Sequence, residues 1–167
     1  MERISRMKRF AVIMVVLSVC VGCDQGTKYT ARHFLEGQPP VSRLGDLFRW
    51  HYVENTGVFL GLGGQLPAHW RLALFVGFVS LVLIGLSFFL LFNRSLSIGA
   101  LVSGALVLGG GLSNLTDRLL NQGGVVDFMN IGIGPLRTGI FNVADLAVIA
   151  GVILFLFCIK PMRRNQQ

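Results

Sequence analysis

Four long apolar runs constrain this 167-residue chain more than any other feature. They predict spans over about residues 10–31, 72–92, 98–115 and 140–159. The first run is apolar only over 10–23, which is short for a span, so its helix is expected to continue through Asp24 and Lys28. A helix over 72–92 would be about 31 Å long, which matches a bilayer hydrocarbon core of about 30 Å. Charged residues make up 14% of the chain, against roughly 25% in soluble domains, too few to cover a water-soluble globule. The sequence therefore predicts an all-α membrane protein with four transmembrane helices.

The basic residues predict how the chain is oriented. Lys and Arg number 15 against 8 Asp and Glu, and cations near span ends mark the cytoplasmic side. Eight of them flank the spans on one side: Arg3, Arg6, Lys8, Arg9, Arg94, Lys160, Arg163 and Arg164. We expect a single membrane domain over 1–167 with both termini in the cytoplasm. Because the cations are not gathered on one face, nucleic-acid binding is excluded.

The segment between the first two spans carries a strand-like pattern. Phe48, Trp50 and Tyr52 alternate with polar residues at 49 and 51, which is the period of a half-buried β-strand. The sequence predicts a small extracytoplasmic β element within about 35–71 and 116–139. The same aromatic residues would equally serve as simple anchors at the membrane surface.

Charged residues beside the spans are candidates for function, because they are costly to insert into a bilayer. Asp24 and Lys28 are four residues apart on the first helix, which is the spacing of an ion pair. They are interpreted either as a structural pair that closes the helix end or as residues with a direct role in function. The third span ends with Asn114, Asp117 and Arg118. The glycines at 109–111 before them predict close helix packing.

Asp127 and Asp145 are the candidate catalytic residues. Asp127 lies in an apolar, strand-like piece that returns to the membrane, and Asp145 follows Asn142 by three residues at the start of the fourth span. Two carboxyl groups close together in apolar surroundings share one proton, because like charges do not both ionise there. One then acts as a base toward water and the other as an acid toward a substrate carbonyl. This chemistry requires the fold to bring them together.

Two other classes of protein fit part of the sequence. Intramembrane Asp, Arg and Asn side chains also occur in small transporters, although this chain has no inverted repeat. Residues 1–23 also resemble a secretory signal ending at Cys23, where a lipoprotein would be lipidated and cut. The sequence has no motif of a metal site, a serine nucleophile or a phosphate-binding loop, so no metal or cofactor is expected.

Five short motifs, in order along nearly the whole chain, resemble those of the lipoprotein signal peptidases (signal peptidase II), which are bacterial inner-membrane aspartyl proteases. The motifs are Asp24-Gln25-x-Thr27-Lys28, Asn55-Thr56-Gly57, Gly110-Gly111-x-x-Asn114-x-x-Asp117-Arg118, Val126-Asp127-Phe128 and Phe141-Asn142-x-Ala144-Asp145. Each motif alone is weak, but five of them in order on four spans are specific.

The resemblance implies a monomeric hydrolase with Asp127 and Asp145 as a catalytic dyad at the outer face of the bacterial inner membrane, in contact with membrane lipids. Its substrate would be a prolipoprotein whose cysteine already carries diacylglycerol, cut on the N-terminal side of that cysteine. The family has four transmembrane helices and an extracytoplasmic β-cradle, and it is the target of the cyclic peptide antibiotic globomycin. The pocket and its support would come from Asp24, Lys28, Asn55, Gly57, Asn114, Asp117, Arg118 and Asn142.

Two positions depart from the family pattern. Ser113 stands where the family usually has a glycine before Asn114, and we expect this small change to be tolerated. Phe59 stands where the family usually has a small residue. We expect it to change the loop after Gly57 and the binding of the antibiotic.

Overall fold

The apolar segments form helices, and the segments between them form one antiparallel sheet. A computed structural model describes residues 4–57 and 67–158. Its helices are α1 (Arg6–Leu35), α2 (Ala68–Arg71), α3 (Gly77–Phe92), α4 (Ile98–Leu120) and α5 (Val143–Cys158), with a π-helical turn at Leu72–Val76. Its strands are β1 (Val41–Arg43), β2 (Phe48–Asn55), β3 (Val125–Ile133) and β4 (Leu136–Arg137). The predicted combination of helices with a small sheet is confirmed. Phe59 and the basic residues at 3, 160, 163 and 164 lie outside the described residues.

Two of these helices, α1 and α4, are long and apolar enough to cross a bilayer. They have 30 and 23 residues, which makes them about 45 and 35 Å long. α3 and α5 are shorter apolar helices of 16 residues each. α1 continues without a break through Asp24 and Lys28 to Leu35, as its short apolar run predicted.

α4 lies at the centre of the bundle and packs against α1, α3 and α5. A Cβ at Gly109 would lie 2.8 Å from the Cβ of Cys20 in α1, and one at Gly111 would lie 2.6 Å from a leucine of α3. A Cβ at Gly110 would collide with the carbonyl oxygen of Ala144 in α5. The predicted close packing is confirmed, and it brings the start of α5 against α4.

At the end of the bundle far from the sheet, a buried arginine joins two helices. Arg9 of α1 is fully buried, and its Nε and Nη2 donate to the carbonyl oxygen of Leu90 at 3.1 and 2.6 Å. Leu90 lies in the last turn of α3, where carbonyl groups have no partner within the helix. Arg9, expected only as a marker of orientation, therefore also connects α1 to α3.

The sheet has the strand order β1-β2-β3-β4, with every neighbouring pair antiparallel. β2 pairs with β3 so that Asn55 lies beside Val125, and Val53 lies opposite Asp127. Ala31, near the end of α1, packs against the apolar side chains of β3. The strand predicted from the alternation at 48–53 is confirmed, and the second segment supplies the strand that carries Asp127.

Candidate active site

Asp127 and Asp145 lie on different elements and meet at one asparagine. Asp127 lies in β3 and is 3% exposed, and Asp145 lies in the first turn of α5. Asn142 Nδ2 donates to Asp127 Oδ1 at 2.7 Å. The Oδ1 of the same side chain accepts from the backbone N–H of Asp145 at 2.9 Å. One amide thus contacts both residues, and the fold brings the predicted pair together.

The start of α5 holds the Asp145 carboxyl group in a fixed position. Asp145 Oδ2 accepts from the backbone N–H of Asn142 at 3.2 Å, which returns the hydrogen bond described above. This reciprocal arrangement is a capping box, in which two side chains satisfy otherwise unpaired N–H groups at a helix start. Asn114 Nδ2 of α4 donates to the other oxygen, Oδ1, at 2.9 Å. Both oxygens of Asp145 therefore have a donor.

The Asp127 carboxyl group is also held at both oxygens. Asn55 Nδ2 donates to Oδ2 at 3.0 Å, while Asn142 occupies Oδ1. The Oδ1 of Asn55 accepts from the backbone N–H of Gly57 at 3.0 Å, which fixes the orientation of this amide. Burial raises the pKa of Asp127 to about 7, and the charge of Asp145 adds to this effect. Near neutral pH this carboxyl group is therefore protonated much of the time.

Beside the pair, Lys28 joins two further aspartates in a buried ion cluster of Asp24, Lys28 and Asp117. Lys28 Nζ lies 2.7 Å from Asp24 Oδ2 and 2.8 Å from Asp117 Oδ2. It also donates to Asn114 Oδ1 at 2.9 Å, so three acceptors match the three N–H bonds of the ammonium group. Because Oδ1 of Asn114 faces Lys28, its Nδ2 faces Asp145. Asn142 Nδ2 donates to the same Asn114 oxygen at 3.0 Å, so Lys28 and Asn142 together set the orientation of an amide that holds Asp145.

The two aspartates of the buried ion cluster also hold backbone next to the pair. Asp24 Oδ1 accepts from the N–H of Ala144 at 2.7 Å, in the first turn of α5. Asp117 Oδ2 accepts from the N–H of Val126 at 3.1 Å, directly before Asp127. Helices α1 and α4 thereby position the backbone of both Asp127 and Asp145.

Arg118 connects α4 to the end of β2. Its Nη2 donates to the carbonyl oxygen of Gly57 at 3.4 Å, and its Nη1 donates to the carbonyl oxygen of Asn114 at 3.3 Å. Its Nε is buried and has no acceptor among residues 4–57 and 67–158. All ten predicted site residues therefore belong to one connected set, and one guanidinium donor in that set has no acceptor within the described part of the chain.

Sequence reasoning missed two side chains of this set, Ser113 and Gln25. Ser113 Oγ is fully buried and donates to Asp24 Oδ2 at 2.7 Å. Gln25 Nε2 donates to Ser113 Oγ at 3.0 Å and to Asp117 Oδ1 at 2.8 Å. Ser113 and Asp117 are four residues apart, so a shared helix face was a signal that could have found them.

The chain matches known proteins along most of its length. The sequence profile of the Signal peptidase (SPase) II family matches residues 15–160. The chain is 36% identical over 149 residues to the lipoprotein signal peptidase of Borrelia duttonii (strain Ly), with 86% of each chain covered. It is 34% identical over 163 residues to that of Syntrophus aciditrophicus (strain SB), with 96% of this chain and 97% of the other covered.

The fold is also similar to a solved structure. A bacterial membrane enzyme structure determined at 2.3 Å resolution by the in meso method has a TM-score of 0.77 and 24% sequence identity. The likeness covers 94% of this chain and 92% of that one. The arrangement of the helices and the sheet is therefore shared with a bacterial membrane enzyme.

Proposed function

Because the chain belongs to the signal peptidase II family, we propose that it removes signal peptides from lipoprotein precursors. The substrate is a prolipoprotein whose cysteine carries diacylglycerol, and the bond cut is the amide on the N-terminal side of that cysteine. The observation that carries the proposal is the contact of one amide, that of Asn142, with both Asp127 and Asp145.

The proposed reaction is that of an aspartic endopeptidase. One carboxylate of the pair takes a proton from a water molecule, whose oxygen attacks the carbonyl carbon of the substrate. The other, protonated carboxyl group donates its proton to the carbonyl oxygen. The tetrahedral intermediate then collapses and the C–N bond breaks. The first carboxyl group gives the proton that it took from water to the nitrogen of the lipidated cysteine, and the second takes a proton back from a hydroxyl of the intermediate. The raised pKa of Asp127 supports a proton shared by the pair, which titrates as a unit.

The surrounding side chains suit the binding of a peptide backbone. Arg118 Nε is a buried donor without an acceptor among the described residues, so a substrate carbonyl oxygen would satisfy it. Asn55 ends β2 and contacts Asp127, and Gly57 follows it by two residues and donates to its side chain. We propose that these residues hold the substrate backbone while its diacylglycerol lies in the bilayer. A globomycin-type cyclic peptide would compete at the same position.

The proposed topology has four spans and both termini in the cytoplasm of a bacterium, with a monomer in the inner membrane. It is supported by the apolar lengths of α1 and α4 and by the apolar character of α3 and α5. Exposed aromatic and aliphatic side chains on α3 suit contact with lipid, for example Phe78, Leu81 and Phe88. In this topology Arg9 lies at the cytoplasmic end of α1, and the dyad lies toward the extracytoplasmic face.

The proposal is tested with Asp127→Asn and Asp145→Asn, each purified and given a diacylated precursor peptide. We expect cleavage to fall by about 10²–10⁴-fold or more in either variant, because each removes an acid–base group. The thermal unfolding of both variants should remain cooperative. Glu36→Gln, which changes an exposed acid at the end of α1, is the matched control and should cleave normally. Near-normal cleavage by either dyad variant would contradict the proposal.

A further inference from the structure

The end of the sheet far from Asn55 carries an exposed apolar tip that the cleavage chemistry does not use. Two turns meet there, β1–β2 and β3–β4, and the N–H of Gly132 donates to the carbonyl oxygen of Leu47 at 2.9 Å. Five aliphatic side chains of this apolar tip are 41–82% exposed: Leu44, Leu47, Ile131, Ile133 and Leu136. A gathering of exposed aliphatic side chains of this kind marks a contact surface.

The apolar tip is continuous with the outer part of α1. Phe48 pairs with Ile131, and its ring lies 4.7 Å from the ring of Trp50. Trp50 in turn stacks on Phe128, with ring centroids 6.0 Å apart. Trp50 and Phe128 line an apolar groove of about 280 Å³ together with Phe34 of α1. Apolar side chains in contact with one another therefore connect the tip to the exposed Phe34 of α1.

The length of α1 sets the level of this surface relative to the bilayer. A helix of 30 residues is about 45 Å long, which exceeds a hydrocarbon core of about 30 Å. With Arg9 at one membrane surface, the helix leaves the hydrocarbon about 20 residues later. The α1 residues that line the groove lie within 27–35. The sheet is therefore attached to α1 at the level of the lipid headgroups.

The charges of the apolar tip suit an anionic lipid surface. Arg49 donates to Asp46 through two nitrogens, and Arg137 lies 3.4 Å from the same carboxylate. The hydrogen bonds from Arg49 hold the pKa of Asp46 well below its ordinary value, so this acid is ionised and paired. With Arg43 added, the two turns and their flanks carry three arginines and one acid, a net charge of +2 (3 − 1). Basic residues at a membrane surface are attracted to anionic headgroups.

We propose that the apolar tip inserts into the outer lipid leaflet and anchors the sheet to the membrane. β3 carries Ile133 at the tip and Asp127 six residues earlier, a distance of about 20 Å along a strand. The insertion of the tip would then set the tilt of β3, and with it the height of Asp127 above the bilayer.

The test places an environment-sensitive fluorophore on single cysteines in the full chain, with Cys20, Cys23 and Cys158 replaced by alanine. The sites are Leu136→Cys in the apolar tip and Gln38→Cys, an exposed polar position before β1, as the control. The protein is reconstituted in vesicles of phosphatidylethanolamine and phosphatidylglycerol that contain a lipid with a doxyl quencher on its acyl chain. We expect the doxyl lipid to quench at least about half the fluorescence of the label at 136, while aqueous iodide does not reach it. The label at 38 should be quenched by iodide and not by the doxyl lipid.

Three results would overturn the proposal. A label at 136 that iodide quenches and the doxyl lipid does not would mean that the tip lies in water. A label shielded from both quenchers would indicate a protein partner or a second copy of this chain. A label that becomes shielded only when a lipidated precursor is added would make the tip a substrate surface. This readout does not depend on peptidase activity, so it fails or succeeds separately from the proposed function.

Discussion

Two ion clusters of similar size differ in burial, one beside the dyad and one at the apolar tip. The buried ion cluster has one cation between two acids, and its side chains are 0–5% exposed. The cluster at the tip is the reverse, with Asp46 between Arg49 and Arg137, and its side chains are 13–38% exposed. The ion-pair distances overlap, so burial is the property that separates the two.

This difference predicts different consequences for the fold. Exposed ion pairs contribute little to stability, because water and salt screen them. When one partner of a buried pair is removed, the charge left behind is uncompensated, at a cost of about 3–5 kcal/mol. The buried ion cluster also holds the N–H groups of Ala144 and Val126, so its loss would reach the dyad directly.

The largest effect is expected from Lys28→Met. The variant leaves Asp24 and Asp117 buried without a cation, so the free energy of unfolding should fall by about 3–5 kcal/mol. Cleavage should be lost as well, because the uncompensated aspartates would no longer hold the N–H groups of Ala144 and Val126 beside the dyad. Arg49→Met is the matched control in the tip cluster and should leave thermal unfolding unchanged. If Lys28→Met and Arg49→Met lost the same free energy of unfolding, burial would not be the property that distinguishes the two ion clusters.

A second prediction concerns the approach of α4 to α5, which the buried ion cluster requires. Gly110→Val would collide with the carbonyl oxygen of Ala144 and push the start of α5 away. We expect a loss of about 3 kcal/mol in stability, the upper range for overpacking, together with reduced cleavage. A Cβ at Gly85 of α3 would meet nothing within 4 Å, so Gly85→Ala is the control. Calorimetry in detergent would measure the stability of the variants, and the precursor assay would measure their cleavage activity. If Gly110→Val kept normal stability and activity, the close packing of α4 on α5 would not be required.

Ser113→Ala should have a smaller effect within the same cluster. It removes the hydroxyl between Asp24 and Gln25, so each loses one hydrogen bond. Hydrogen bonds to charged groups contribute about 1.5–3 kcal/mol, and we expect the lower end of this range. Ser87→Ala removes a hydroxyl that donates to the carbonyl oxygen of Leu83 in its own helix, and should be nearly neutral. If the two variants lost equal stability, Ser113 would not support the buried ion cluster.

The last prediction concerns the dependence of stability on pH. Burial raises the pKa of Asp127 from 3.8 to about 7, so the native state holds this proton more tightly than the unfolded chain does. Stability should therefore fall as pH rises from about 4 to about 7, and the melting temperature should be a few degrees higher at pH 5 than at pH 8. Asp127→Asn should reduce this difference. Asp46→Asn should keep it, because the lowered pKa of Asp46 acts only in more acidic solution.

Local spacing predicted the helices and the polar residues beside them, whereas Asn55 and Gly57 were predicted only by the family resemblance. Long apolar runs identify α1 and α4, and Asp24 with Lys28, or Asn142 with Asp145, lie one helical turn apart. The contact of Asn55 with Asp127 depends instead on the pairing of β2 with β3 across more than 70 positions, which no local pattern encodes.

Helix rotation explains the other differences. In the sequence, Ser113 appeared only as a change from the family's usual glycine that the fold would tolerate. Its hydrogen bond to Gln25 depends on which side of α4 faces α1. Arg9 appeared only as a marker of orientation, because the sequence alone does not show that α3 ends beside it. In both cases the missing information was the arrangement of neighbouring helices, which long-range packing decides.

The three consecutive glycines of α4 have a consequence for where polar residues are tolerated. Successive residues of a helix are rotated by about 100°, so Gly109, Gly110 and Gly111 face α1, α5 and α3 around most of the circumference. At this level α4 is an inner helix, surrounded by protein on these sides. An inner helix does not need an apolar surface, so its next turns carry Ser113 and Asp117 away from hydrocarbon. The helix that contacts the three others thus carries three side chains that are costly to place in hydrocarbon, namely Asn114, Asp117 and Arg118.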